Sequence, residues 1–194
     1  MNLSIVIISY NVRDYLRQCL QSIYESKGLG KFEIIIVDND SHDGSCEMIE
    51  KYFPKVKLIK NNNNLGFAKG VNIGINHSIG KYISLINPDT LISSDTFKIL
   101  LDYMNNEENI GCIGPKILNS DATLQLACKR SFPTLSSIIF KITGLSKLFS
   151  KSKLFAHYNL TYLAENIIHS VDCISGSFML FPKKIIQNIG LFDE

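Results

Sequence analysis

The 194-residue sequence lacks the features that define several common protein classes. Its five cysteines are far apart and form no Cys-x-x-Cys pair, so we expect reduced thiols rather than a zinc site or a disulfide framework. No apolar run approaches the roughly 18 residues of a membrane-spanning helix. The short run Leu3–Ile8 also lacks the basic segment that begins a signal peptide. We therefore expect a cytoplasmic protein.

The glycine loops that usually bind phosphate are missing as well. No G-x-G-x-x-G follows the first predicted strand, and no G-x-x-x-x-G-K-[ST] occurs in the chain. The common dinucleotide-binding and P-loop classes are therefore excluded.

Acidic residues are absent from one long stretch. Between Asp121 and Glu165 the chain has no Asp or Glu, although the net charge of the whole sequence is only +2. The basic residues of this stretch are Lys129, Arg130, Lys141, Lys147, Lys151 and Lys153. No fold signature or aromatic platform for nucleic acid accompanies them, so no nucleic-acid partner is expected.

What the sequence does contain is an alternation of strand and helix patterns. Buried-strand patterns span residues 3–9, 33–37, 56–59 and 81–86. The first helical pattern follows a cap at Asn11 and places Tyr15 and Tyr24 on its inward face. Three further helical patterns span residues 41–53, 67–78 and 93–105. This order predicts an α/β domain with a mostly parallel central sheet.

The alternation weakens after Gly111. Residues 112–117 are interpreted as a strand, and residues 171–181 as strand material interrupted by Gly176. Pro182 is expected to open a last helix, where its missing N–H costs nothing. Residues 131–165 give no clear pattern.

Polar residues follow each of the four predicted strands. They are Ser9-Tyr10-Asn11, the segment Asp38–Ser45, the segment Asn61–Gly66, and Asn87-Pro88-Asp89. Since the carboxyl ends of parallel strands share one edge, these groups predict a ligand site there. Taken singly, each could be a turn or a helix cap, because Asp, Asn, Ser and Gly are the residues that turns use.

Five segments, in order, resemble the motifs of family 2 glycosyltransferases, and especially their rhamnosyltransferase-like branch. They are SIVIISYN, IIIVDNDSHDGS, NLGFAKGVNIGI, LINPDT and ISGSFMLFPKKIIQNIGLFDE. The resemblance implies a GT-A fold, a Rossmann-like three-layer α/β/α sandwich. It also implies one domain over residues 1–194, with a nucleotide-sugar-binding half (1–118) and an incomplete acceptor-side half (119–194).

The same resemblance implies an activity. The enzyme would move a sugar, with inversion, from a dTDP- or UDP-linked donor to a glycan or lipid-linked acceptor of the cell envelope, at the inner face of the membrane. The residues implied to contact the nucleotide sugar are Tyr10, Asn11, Asp38, Asn39, Asp40, Asn64, Gly66, Phe67, Ala68, Asn72, Asn87 and Gly176. Asp89 matches the last acid of the family's D-x-D motif, which holds Mg²⁺ or Mn²⁺, and Asn87 stands in place of the first acid.

The resemblance also implies where the catalytic base lies. In this branch an acidic pair follows the G-x-F-D-E motif by about ten residues, and this chain ends at Glu194. Either Asp193 or Glu194 substitutes as the base that deprotonates the acceptor, or the chain is a fragment. We expect the fragment.

Three alternatives stay open at this point. The chain could be a non-catalytic module that binds a nucleotide sugar, or a nucleotidyltransferase, which the missing glycine-rich loop disfavours. Residues 135–155, LSSIIFKITGLSKLFSKSKLF, could touch anionic lipid. The favoured interpretation is an ordinary solvated helix whose apolar side chains pack on the core.

Overall fold

The computed structural model describes residues 2–194 and divides the chain into two compact units. The first unit comprises the residues up to Ile113 together with Gly176–Glu194, and the second comprises Gly114–Ser175. The predicted division into halves at residue 118 stays a prediction.

The first unit is built on a five-stranded sheet with the order β3-β2-β1-β4-β7. Its strands are β1 (Leu3–Ser9), β2 (Phe32–Asp38), β3 (Lys57–Lys60), β4 (Tyr82–Ile86) and β7 (Phe178–Pro182). The first four strands are parallel, and β7 pairs antiparallel with β4 at one edge. The predicted mostly parallel sheet is therefore confirmed.

Helices cover both faces of this sheet. They are α1 (Arg13–Tyr24), α2 (Ser45–Tyr52), α3 (Phe67–His77), α4 (Thr96–Asn106) and α7 (Lys184–Ile189). Alternate residues of β1 face opposite sides, as the period of a strand requires. Ile5 and Ile7 pack in one core with α1, α2 and α4, whereas Val6 packs in the other with α3 and α7. The result is the expected three-layer α/β/α sandwich.

Helix α3 lies unusually close to the sheet. A Cβ atom at Gly74 would stand 2.2 Å from Cγ1 of Val6, closer than any real contact. The glycine therefore sets the distance between α3 and β1, and with it the position of the loop that precedes α3.

The second unit has short elements. Its strands β5 (Lys129–Arg130) and β6 (Cys173–Ile174) form a two-stranded antiparallel ladder. A 3₁₀ turn (Leu126–Cys128) precedes β5, and the helices α5 (Leu135–Ile142) and α6 (Leu145–Leu148) follow it. Among residues 2–194, no helix has the length and apolar content needed to cross a membrane.

Four details of the predicted elements are wrong. Asn11 does not cap α1, because its backbone has φ 52° and Val12 holds the cap position. Helix α2 begins at Ser45 rather than 41, and residues 112–117 form only a single bridge, from Ile113 to Leu180. Pro182 ends β7 instead of opening a helix, which an edge strand tolerates.

Candidate functional site

A cavity of about 710 Å³ lies at the carboxyl ends of β1, β2 and β4, beside the start of α3. Its lining combines aromatic rings, side-chain amides and one carboxylate. The lining residues are Ile8, Ser9, Tyr10, Val12, Tyr15, Asn39, Asn64, Gly66, Phe67, Asn87, Pro88 and Asp89. The edge where strand-end residues were expected to converge therefore contains an open, mixed polar and aromatic site.

The loops after β1 and β2 hold each other in place. The Asn11 backbone N–H donates to Ser41 Oγ at 2.9 Å, and Asn11 Oδ1 accepts from the His42 backbone N–H at 2.8 Å. The Arg13 N–H donates to Asp43 Oδ2 at 2.8 Å. Asn11 thus links two loops, which explains its left-handed backbone, and it lies outside the cavity lining.

Asp38 is buried at the end of β2, with 1% exposure. Its Oδ1 accepts from the Ser41 N–H at 2.8 Å and its Oδ2 from Ser41 Oγ at 2.6 Å. Asp40 has φ 68°, and its carboxylate lies 3.5 Å from His42 Nε2. Neither aspartate lines the cavity, so their predicted contacts with a nucleotide stay predictions.

Asn39 connects the β2 end to the polar loop before α3. Its Nδ2 donates to the Gly66 carbonyl at 3.1 Å, and its Oδ1 accepts from Asn61 Nδ2 at 2.8 Å. Asn64 Oδ1 accepts from the Gly66 N–H at 2.9 Å. These bonds fix a loop in which Gly66 has φ 81°, a conformation that favours glycine. The Phe67 ring that follows is half exposed at the cavity.

The turn Asn87-Pro88-Asp89 is held in place by contacts with Ser177 and with Cys19 of α1. The Asn87 N–H donates to the Ser177 carbonyl at 3.0 Å, and the Cys19 thiol of α1 contacts the Asn87 carbonyl at 3.8 Å. Burial, followed by the negative charge of Asp89, raises the pKa of Cys19 to about 12. The thiol is therefore neutral and supports the turn, and Asp89 is left exposed at the cavity wall.

Asn72 of α3 binds the C-terminal segment. Its Nδ2 donates to the Phe192 carbonyl at 2.8 Å and to Glu194 Oε1 at 3.0 Å, and its Oδ1 accepts from the Phe192 N–H at 2.9 Å. Lys69 Nζ lies 3.7 Å from Glu194 Oε2. Glu194 is therefore engaged by α3, whereas Asp193 is exposed and makes no hydrogen bond or ion pair with any residue from 2 to 194.

The cavity thus brings together seven of the predicted site residues and leaves out others. Those that line it are Tyr10, Asn39, Asn64, Gly66, Phe67, Asn87 and Asp89. Those outside the lining are Asn11, Asp38, Asp40, Ala68, Asn72, Gly176, Asp193 and Glu194.

Sequence reasoning missed three residues of the lining, which are Ile8, Val12 and Tyr15. Tyr15 was assigned to the inward face of α1, but 62% of it is exposed and its ring lines the cavity. Ser9 is fully buried, and its Oγ has no partner within residues 2–194. Helical spacing could have placed Tyr15 one position off the inward stripe, and Ser9 belongs to the polar strand end Ser9-Tyr10-Asn11 that predicted a ligand site.

The protein-family model described as Glycosyl transferase family 2 matches residues 4–190. Among curated proteins, the minor teichoic acid biosynthesis protein GgaB of Bacillus subtilis is 29% identical over 110 residues. That match covers 55% of this chain and 12% of GgaB. The chain is therefore much shorter than this relative.

Two solved structures share the fold. TarS 1–349 of S. aureus, in complex with UDP, has a TM-score of 0.67 at 18% identity, covering 100% of this chain and 50% of TarS 1–349. Mannosyltransferase PcManGT from Pyrobaculum calidifontis, in complex with GDP-Man and Mn²⁺, has a TM-score of 0.64 at 16% identity, covering 99% of this chain and 47% of PcManGT. At these identities the likeness establishes the GT-A-type fold alone.

Proposed function

This chain belongs to glycosyl transferase family 2, and we propose that it moves a sugar, with inversion, from a nucleotide-diphosphate donor to a cell-envelope acceptor. The observation that supports this most is the cavity of about 710 Å³ at the strand ends, with its aromatic rings, amides and single carboxylate. The acceptor would be a glycan or a lipid-linked glycan, reached from the cytoplasmic face. The teichoic acid role in the name of GgaB favours that class of acceptor.

The lining suits a nucleotide sugar. The rings of Tyr10, Tyr15 and Phe67 are each about half exposed or more, which leaves their faces open to a base. Asn39 holds the loop beside these rings through its bonds to Gly66 and Asn61. Asn64 lies on the same loop in the cavity lining. UDP in TarS and GDP-Man in PcManGT show that this fold accommodates such donors. A UDP- or dTDP-linked sugar is the donor we propose here.

The residues at the cavity wall fit a divalent metal that is shared with the donor. Within residues 2–194, no group of three or more His, Cys, Asp or Glu side chains could hold a metal ion alone. Mg²⁺ commonly takes one or two carboxylates, with phosphate and water supplying the other oxygens. Asp89 would be the carboxylate, and Asn87 would hydrogen-bond a ribose or a metal-bound water. Mg²⁺ or Mn²⁺, when bound, offsets the negative charge that grows on the leaving diphosphate.

In the proposed transfer, an acceptor hydroxyl attacks the anomeric carbon opposite the nucleotide. The bond from that carbon to the phosphate oxygen breaks, its electrons remain on the nucleoside diphosphate, and the hydroxyl proton passes to a carboxylate base. Of the two predicted candidates, Asp193 has a free carboxylate, while Glu194 is engaged by Asn72 and Lys69.

Calorimetry with nucleotides tests the donor class. UDP or dTDP should bind more tightly with Mn²⁺ than without it, and ATP and NAD should bind much more weakly than both. Asp89→Ala should remove the metal-dependent gain, whereas Asp95→Ala, an exposed aspartate at the start of α4, should keep it. Tighter binding of NAD than of UDP and dTDP would refute the proposed donor.

The engagement of Glu194 also favours a second candidate function, a module that binds a nucleotide sugar without transferring it. A transfer assay with radiolabelled UDP- and dTDP-sugars separates the two. Turnover that Asp193→Asn abolishes, with donor binding unchanged, would identify Asp193 as the base. Donor binding without turnover would favour the module.

A further inference from the structure

Helix α5 exposes its apolar side chains and buries a serine. Leu135 and Ile142 are 82% and 80% exposed, and Ile138 and Ile139 are 45% and 55% exposed. The buried residue of the helix is Ser137. An ordinary surface helix places its apolar stripe inward, so the interpretation of residues 135–155 as such a helix is not what the structure shows.

The exposure continues beyond α5 in a segment that has its own packing. Leu148 and Leu154 are 74% and 64% exposed. The rings of Phe140 and Phe149 contact Phe155, with centroid distances of 4.9 Å and 5.1 Å. These contacts tie α5, α6 and the following turn together, so the apolar side chains stand out from a formed surface.

The same segment is uniformly basic. Lys147, Lys151 and Lys153 are exposed and form no ion pair with any residue from 2 to 194. Lys141 is also exposed, and its Nζ lies 4.9 Å from the centre of the Tyr158 ring. Because no acidic residue occurs between Asp121 and Glu165, nothing within the segment neutralises these charges.

We propose that residues 135–155, the docking segment, bind the surface of an anionic lipid membrane. Exposed Leu and Ile side chains can enter the boundary between headgroups and acyl chains, and unpaired lysines are attracted to anionic lipid. A second copy of the chain fits less well, since a two-fold interface would set the lysines of one copy against those of the other. This proposal does not depend on sugar transfer.

Flotation with vesicles tests the electrostatic half of the proposal. The protein should float with vesicles of phosphatidylcholine containing about one third phosphatidylserine, and each lysine should contribute about fivefold to the partition coefficient. The triple variant Lys147→Gln, Lys151→Gln, Lys153→Gln should therefore lose about 100-fold. A matched control, Lys31→Gln, Lys55→Gln, Lys184→Gln, removes three exposed lysines of the first unit and should lose little. Rising salt should release the wild type.

A second set of variants tests whether the exposed apolar side chains of the docking segment contribute to membrane binding. Ile139→Ser and Ile142→Ser should each weaken partitioning about tenfold, because each removes a side chain that would enter the lipid. Ile99→Ser on α4, where Ile99 is 63% exposed, is the matched helical control and should have little effect. Circular dichroism and melting curves check that all variants remain folded.

Several outcomes would overturn the proposal. Equal binding to vesicles of pure phosphatidylcholine would remove the role of anionic lipid, and an equal loss in the first-unit lysine control would remove the role of the docking segment. Failure to float, together with a concentration-dependent dimer that Ile142→Ser abolishes, would assign the surface to a second copy instead.

Discussion

In the first unit, every isoleucine of β1 and β2 except Ile8 is at most 2% exposed, whereas in the second unit the isoleucines of α5 are 45% to 80% exposed. Two residues of one type show the contrast, since Ile7 is 0% exposed and Ile142 is 80% exposed. A buried side chain contributes to folding by leaving water, and an exposed one can do so only when a ligand covers it. The first unit therefore contains the large buried apolar core and the cavity at the strand ends, and the second presents exposed apolar side chains on α5.

The largest expected effect tests this contrast directly. Ile7→Ala should lower the free energy of unfolding by about 2–5 kcal/mol, because it leaves a cavity in a packed core. Ile142→Ala should change it by no more than about 0.5 kcal/mol. Urea denaturation of both variants measures the difference, and similar losses would show that the second unit has a comparable core.

Alkaline pH probes the first unit at Cys19. Burial, and then the charge of Asp89, raises its pKa from the ordinary 9.0 to about 12. Since the folded state holds this proton more tightly than the unfolded chain does, the thiol contributes full stability below pH 9.0 and loses it between 9.0 and 12. At about pH 10.5 the loss should reach about 2 kcal/mol.

The matching measurement is the fall in unfolding free energy between about pH 8 and about pH 10.5, for the wild type and for Cys19→Ala. The variant should be less stable at about pH 8, because a buried group is removed, but its fall with pH should be smaller by about 2 kcal/mol. An identical fall in both proteins would mean that water reaches Cys19 in the folded state.

The four parallel strands of the first unit could be predicted to within about one residue, because the run of buried apolar residues that marks them in the sequence is also what stabilises them. The strand material predicted over residues 171–181 is instead divided between β6 and β7. The start of α2 could not be predicted in this way. Ser41, the predicted start, is held in a turn by Asp38 through bonds that depend on the exact geometry of the loop. Pro182 likewise belongs to an edge strand, and whether a strand lies at an edge is a property of the whole sheet.

Much of the candidate site could be placed at the strand ends from topology alone, but individual roles could not. Asn72 contacts Phe192, a residue 120 positions away, and no local pattern encodes such a pair. Tyr15 depends on how α1 is rotated about its axis, which periodicity alone fixes only roughly. The exposure of α5 is a third case, because its apolar stripe fits either a core or a surface until the packing is known.

A smaller effect concerns Asn72, which ties the end of the chain to the core of the first unit. Asn72→Ala should lower the free energy of unfolding by about 1–2 kcal/mol, since its bonds to Phe192 and Glu194 are lost. Asn76→Ala, at an exposed position one turn later on α3, is the control and should have little effect.

Hydrogen exchange shows where that loss occurs. The Phe192 amide should exchange about tenfold faster or more in Asn72→Ala, because its acceptor is gone. Unchanged exchange at Phe192 would mean that the C-terminal segment is held by contacts other than Asn72. The residues after Gly190 would then be held to the first unit by contacts other than this hydrogen-bonded pair.

The smallest expected effect concerns how each unit holds its helices. In helices α1, α2, α3 and α4 the N-cap residue makes no side-chain hydrogen bond. These helices instead pack on the sheet, and the Asp43 carboxylate accepts from the first N–H groups of α1 and α2. Helix α5 packs little and has a capping box. The Ser137 N–H donates to Thr134 Oγ1 at 3.2 Å, and the Thr134 N–H donates to Ser137 Oγ at 2.9 Å.

Thr134→Ala should therefore destabilise α5 by about 1 kcal/mol, and the amides within α5 should exchange faster. Thr134→Ser keeps the hydroxyl and should restore the wild-type rate. If Thr134→Ala left exchange in α5 unchanged, packing would hold this helix as it holds the others, and the two units would differ in exposure but not in what stabilises their helices.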